Sequence, residues 1–216
     1  MKMAKMFLAA MAAMLCGAEA RATLVFSDDF DSNSPGLGIV SLLPANKWTV
    51  MNNVDVLNTA SSAGFGFTAG FPATMSGSVV DLAGTGLADN RGKITTVQSF
   101  GDVSGSSQAY RVSFRLAGAN RPGGVVDTVR VSLGGWFSDV VVSPATSFST
   151  VTLQAASGAS GYLSFALVTS GNPSRNVGAL LDDVALSKEV IPEPASMLIF
   201  GLGAVGLGMV RLRRRK

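Results

Sequence analysis

Between residues 23 and 190, stretch after stretch places hydrophobic side chains at every second position, and none sustains a helical spacing. The stretch "YRVSFRL" places Tyr110, Val112, Phe114 and Leu116 on one face and Arg111, Ser113 and Arg115 on the other. Successive side chains of an extended chain point to opposite faces, so this alternation builds a strand with one buried side. "DTVRVSL" repeats it with Val129, Val131 and Leu133, "STVTLQA" with Val151 and Leu153, and "GYLSFALV" with Leu163, Phe165 and Leu167. Shorter stretches of the same kind are "ATLVF", "KWTV", "VDVL", "SVVDL", "KITTVQSF", "WFSDVVV" and "DDVAL". Gly, Ser, Asn and Pro turns separate them at the spacing of an antiparallel sandwich. The expected fold is therefore all-β: an antiparallel β-sandwich of jelly-roll type with about eight strands or more.

The two ends of the chain follow different rules. Residues 1–22 hold two Lys, then the apolar run "MFLAAMAAML", then small residues with A-x-A cleavage options after Ala20 or Ala22. That order predicts a secretory signal peptide. Cys16 lies inside it behind Leu15 rather than a small residue, which argues against lipidation. A body from residue 23 onward holds no cysteine, so neither disulfides nor thiolate chemistry are expected there. The formal net charge of +3 also belongs to the ends. Residues 23–190 carry nine Lys/Arg against twelve Asp/Glu, a mildly acidic body with no basic stripe, so nucleic acid is not an expected partner.

Near the C-terminus, residues 195–210 form an uncharged run, followed by Arg211, Arg213, Arg214, Arg215 and Lys216. As a helix this run is roughly 24 Å long, enough to span a bilayer with some thinning or Arg snorkelling. The basic cluster then serves as a stop-transfer flank on the cytoplasmic side, leaving the body outside. Residues 201–206 spell G-x-G-x-x-G, but no acidic residue follows and no strand precedes it, so neither NAD nor FAD is expected. Just upstream, Pro192 and Pro194 fix φ and lack N–H groups, which keeps residues 191–194 extended and outside the helix.

Pro192-Glu193-Pro194, the Gly-rich apolar span and the basic end resemble the PEP-CTERM sorting signal over about the last 25 residues. That resemblance implies passage through the export machinery and an inner-membrane intermediate. It also implies cleavage near the PEP motif by an exosortase. Delivery to the cell surface or extracellular polysaccharide matrix of a Gram-negative bacterium would follow. The domain reading is a signal peptide at 1–22, a sandwich at 23–190 and a sorting signal at 191–216.

The body has its own landmarks in order: "FSDDFDSN", Trp48 in "NKWTV", "VDVL", "GSVVDLAGT", "YRVSFRLAGAN" and "GALLDDVALS". This order is similar to the choice-of-anchor C domain, a galactose-binding-like jelly roll. Members of that group often hold a structural Ca²⁺ between their first and last strands. By position, Asp31 stands where the family has Glu, and Asp182 or Asp183 stands at the terminal Asp. The residues alone leave two readings of Asp31, Asp182 and Asp183: hard oxygen ligands for Ca²⁺, or turn caps facing water.

The chain has no histidine, which removes Ser-His-Asp, Cys-His and His-based zinc chemistry. A glycosidase needs two carboxylates about 5–10 Å apart across a cleft. Asp81, Asp102, Asp127 and Asp139 are scattered singly, and no catalytic residue is assigned. A sugar would call for an aromatic platform, with Trp48, Trp136, Tyr110, Tyr162, Phe65, Phe67 and Phe71 as the available rings. Arg111 and Arg115 read as a solvated face. The expected function is a non-enzymatic surface or matrix protein that associates with extracellular polysaccharide. A polysaccharide-active enzyme and a permanently membrane-tethered adhesive or structural protein are the alternatives.

Overall fold

The computed structural model describes residues 22–32, 43, 45–52, 54–58, 77–84, 91–101, 108–119, 125–169 and 178–190. All but the last fall in one compact unit, Ala22–Glu189. The signal-peptide reading, Pro192, Glu193, Pro194, the apolar run and Arg211 to Lys216 lie outside the described residues. Among the described residues no helix is long and apolar enough to cross a membrane.

The described residues form eleven strands: β1 (Ala22–Asp28), β2 (Trp48–Met51), β3 (Asp55–Asn58), β4 (Ser78–Asp81), β5 (Lys93–Phe100), β6 (Gln108–Ala117), β7 (Asp127–Leu133), β8 (Trp136–Val142), β9 (Ser149–Gln154), β10 (Gly161–Thr169) and β11 (Leu180–Val190). Every strand stretch read from the sequence is realised, with ends shifted by a residue or two except at β11, which runs four residues beyond the "DDVAL" stretch. One sheet runs β3-β4-β11-β6-β9, with β1 also on β11; the other runs β2-β5-β10-β7-β8. The chain changes sheet at nearly every connection, and only β3–β4 and β7–β8 join neighbours within a sheet. Together the two antiparallel sheets make a β-sandwich.

Alternation turns one face of each sheet inward. On β7, Val129, Val131 and Leu133 are fully buried while Thr128, Arg130 and Ser132 face out. Phe114 on β6 meets Phe165 on β10 edge-on at 5.1 Å, so the two sheets touch through aromatic contact as well as aliphatic packing. Burying each such side chain contributes about 1.5–3 kcal/mol. On the outer face, Arg130 forms a bidentate pair with Asp139 at 2.8 Å and lies over the exposed Phe137 ring, 4.4 Å from its centroid.

Asp127, at the start of β7, is 3% exposed, and its Oδ1 has no hydrogen-bond partner among the described residues. Burial pushes its carboxyl from 3.8 up to about 7. The folded state therefore holds an extra proton between those two values. Its contribution to stability falls as pH rises through that window, and the penalty is complete above about 7. Asp127→Asn is expected to melt above the wild type at pH 8 and level with it near pH 4. A variant less stable at both pH values in thermal melts would contradict this.

Candidate functional site

The long strand β11 has two partners on one edge. β1 pairs with its second half, from Asp28↔Val184 to Ala22↔Glu189, and β4 with its start, at Leu181↔Val80 and Leu180↔Asp81. Asp182 and Asp183 occupy the point where β11 changes partner. The first and last strands of the body do lie side by side, as the sandwich reading required. The segment leaving β1 closes the gap between β1 and β4: the Ser78 N–H donates to Asp31 Oδ1 at 2.9 Å. Gly77 sits at φ +105 against the Asp31 carboxylate, where an added Cβ would collide with it. Only glycine fits there.

The backbone is strained at this junction. Phe30 (φ 56) and Asp183 (φ 48) both adopt left-handed conformations, each costing on the order of 1–3 kcal/mol. Phe30 is held there by complete burial beside Trp48. The left-handed conformation at Asp183 separates the two adjacent acids of β11, Asp182 and Asp183. Asp183 is exposed and faces Arg115 at 3.6 Å. Asp182 is 5% exposed, and burial pushes its carboxyl from 3.8 up to about 7. The Asp183 N–H and the Arg115 charge oppose that shift, while the Asp183 and Asp31 charges add to it. Asp31 and Asp182 thus influence each other electrostatically, and Asp183 pairs with Arg115. Ser78, 2% exposed, has an Oγ without a hydrogen-bond partner among the described residues. Among the described residues no group of three or more acidic side chains is gathered closely enough to hold a metal by itself.

On the outer side of the same junction, Ser27, Asp28, Asp29, Lys47, Asp183, Val184 and Ala185 line an open cavity of about 370 Å³. Asp28 is committed to the fold: its Oδ1 accepts from Lys47 Nζ at 2.8 Å and its Oδ2 from Trp48 Nε1 at 2.6 Å. Trp48 is accordingly a core residue, 3% exposed, and not a sugar platform. Tyr110 is buried as its alternation predicted, with its hydroxyl donating to the Gly101 carbonyl at 2.8 Å. Tyr162 is 53% exposed and Trp136 half-buried, while Phe65, Phe67, Phe71 and Asp102 lie outside the described residues.

Arg111 and Arg115 do more than face solvent. Arg111 Nε contacts Glu189 Oε1 at 2.8 Å, and Arg115 reaches Asp183, so both tie β6 to β11. Asp55 and Asp81 are buried cross-strand neighbours on β3 and β4. Asp81 Oδ1 accepts from the Ala83 and Gly178 N–H groups, which makes it a turn-holding acceptor.

The described strands form a β-sandwich, and a C-terminal address follows it in the sequence. Residues 190–215 match the PEP-CTERM protein-sorting motif, so the chain carries the signal of an exported, surface-sorted protein that an exosortase processes. No curated protein matches the sequence. Among solved structures, the chain is similar to TmCBM61 in complex with β-1,4-galactotriose, at 18% identity and TM-score 0.39 over 64% of this chain and 86% of that one. It is also similar to the CBM22-1 xylan-binding domain from Paenibacillus barcinonensis Xyn10C, at 15% identity and TM-score 0.45 over 81% and 99%. The cleaved adhesin domain of Lys-gingipain from Porphyromonas gingivalis matches at 16% identity and TM-score 0.43 over 77% and 99%. At this level of likeness, what those proteins bind says nothing about what this chain binds.

Proposed function

We propose that the chain is a non-enzymatic cell-surface or matrix protein, cleaved near Pro192-Glu193-Pro194 after export and associated with extracellular polysaccharide through its sandwich. The sorting motif at residues 190–215 carries this reading. It supports a path through an inner-membrane intermediate in a Gram-negative cell. The absence of histidine removes Ser-His-Asp chemistry, and hydrolysis of a glycan would instead need two carboxylates facing each other across a cleft. A glycan array probed with the full-length chain tests the polysaccharide part: binding without turnover of the bound glycan is expected. Release of shortened glycan would favour the enzyme reading.

The junction is also suited to a structural Ca²⁺. Asp31 and Asp182 supply hard oxygen donors, and the orphaned Ser78 Oγ is a third. A cation of 6–8 oxygen ligands would draw its remaining donors from backbone and water. Its charge would favour the ionised form of Asp182, which burial alone opposes. Ca²⁺ at about 100 times its Kd is expected to add about 2.7 kcal/mol, or a rise of about 5–10 °C in melting temperature for a domain of this size. EDTA should reverse the rise, and Asp182→Ala should abolish it. Melting curves that ignore both Ca²⁺ and EDTA would remove the cation from the account.

A further inference from the structure

At one end of the sandwich, the β7–β8 hairpin turns through Gly134 and Gly135, with Leu133 paired to Trp136. Gly134 has φ +56, and a Cβ there would lie 1.7 Å from the Ser160 carbonyl oxygen. Its N–H donates to the Tyr162 carbonyl at 3.1 Å. The hairpin tip is therefore clamped onto the connection between β9 and β10. That connection is itself fixed: the Ala159 N–H closes a turn onto Ala156 O at 3.1 Å, and the Ala155 N–H bonds Tyr110 O at 2.8 Å. Between the two lies an open cavity of about 390 Å³, within the usual range for ligand pockets. Its wall is Gly135 and Trp136 on one side and residues 156–160 on the other.

The chemistry of this cup is narrow. Trp136 packs against the core and also lines the cavity, so a rigid indole is presented from a strand and not from a loose loop. Facing it are only Ala, Ser and Gly, with their hydroxyls and backbone groups, and no ionisable side chain. A charged ligand would find no counter-ion, and a wholly apolar one would strand the serine hydroxyls and backbone groups it desolvates. A pyranose meets both conditions, with C–H groups for the indole face and hydroxyls for the opposite wall.

We infer that the cup walled by Trp136 and residues 156–160 is a subsite for one neutral pyranose residue of a polysaccharide. The inference rests on the polysaccharide-binding reading above and gives it a location. Phe137, the next residue on β8, points to the outer sheet face and is 57% exposed, so it provides a matched control.

The test is titration calorimetry on the full-length chain in detergent, with neutral gluco-, galacto-, manno- and xylo-oligosaccharides and with oligogalacturonate as the charged probe. Trp136→Ala should weaken neutral-glycan binding by about tenfold or more, and Phe137→Ala should leave it unchanged. Ala156→Gln, which fills the cup from an exposed position, guards against a folding defect in Trp136→Ala and should also block binding. In the wild type, bound glycan should shield tryptophan fluorescence from acrylamide, a signal from Trp136 because the only other tryptophan, Trp48, is buried. If glycan binds with the same affinity to all three variants, the location is wrong while the polysaccharide reading stands. If oligogalacturonate alone binds, the neutral ligand class is wrong. If no glycan binds the wild type, both readings fall.

Discussion

Trp48→Ala is expected to destabilise the sandwich by about 3–5 kcal/mol, the usual range for deleting a buried aromatic. Trp48 leaves β2 and meets Phe26 at 5.2 Å, Phe30 at 5.9 Å and Phe165 at 6.4 Å, so it joins residues from both sheets. Its Nε1–H also donates to the buried Asp28 carboxylate, whose other oxygen holds Lys47. Alanine would open a cavity among three rings and leave the buried Asp28 carboxylate short of one donor. A domain of this kind has about 5–15 kcal/mol of stability in total. A fall in melting temperature of about 6–20 °C is therefore expected. Trp48→Phe separates the two effects: it keeps most of the ring volume and loses the donor, for about 1–3 kcal/mol. Thermal melts of both variants check this, and an alanine variant melting beside the wild type would show that Trp48 does not join the sheets.

Replacing Pro192, Glu193 and Pro194 together by alanine is expected to stop processing and leave the chain full length in the membrane fraction. On the sequence reading, two prolines that fix φ and lack N–H groups keep this segment out of any helix formed by the apolar run that follows. Alanine lets a helix propagate back through residues 191–194, removing the extended stretch that a protease can take up as a strand. Cell fractionation with intact-mass measurement reads the result directly. Release of the triple-alanine variant at the wild-type rate would mean that the motif does not direct cleavage.

The strands were legible because burial in a sandwich writes itself as alternation, and "YRVSFRL" or "DTVRVSL" needs no partner to be read. β1 and β11 do lie side by side, whereas residue type alone left Asp31, Asp182 and Asp183 open between cation ligands and turn caps. What the sequence could not disclose depended on distant partners. Ser78 and Gly77 complete the junction, but they arrive on β4, paired to β11 far downstream. Arg111 and Arg115 alternate like solvated residues, and nothing local announces that Glu189 and Asp183 stand opposite them. Trp48 looked available to a sugar because the acceptor of its indole N–H, Asp28, lies on another strand in the other sheet. The left-handed turn at Asp183, which sends adjacent acids to a buried site and an exposed one, leaves no mark in residue type. Trp136 after Gly134-Gly135 was visible as a turn aromatic, whereas its cup depends on the packing of that turn against residues 156–160.

The intact mass of the surface-associated protein, taken from cells expressing the wild-type chain, tests the central claim most directly. The account predicts a species that begins near residue 23 and ends near Pro192 to Pro194, without the apolar run or the basic cluster. A surface form whose mass still includes Arg211 to Lys216 would contradict it and establish permanent tethering instead.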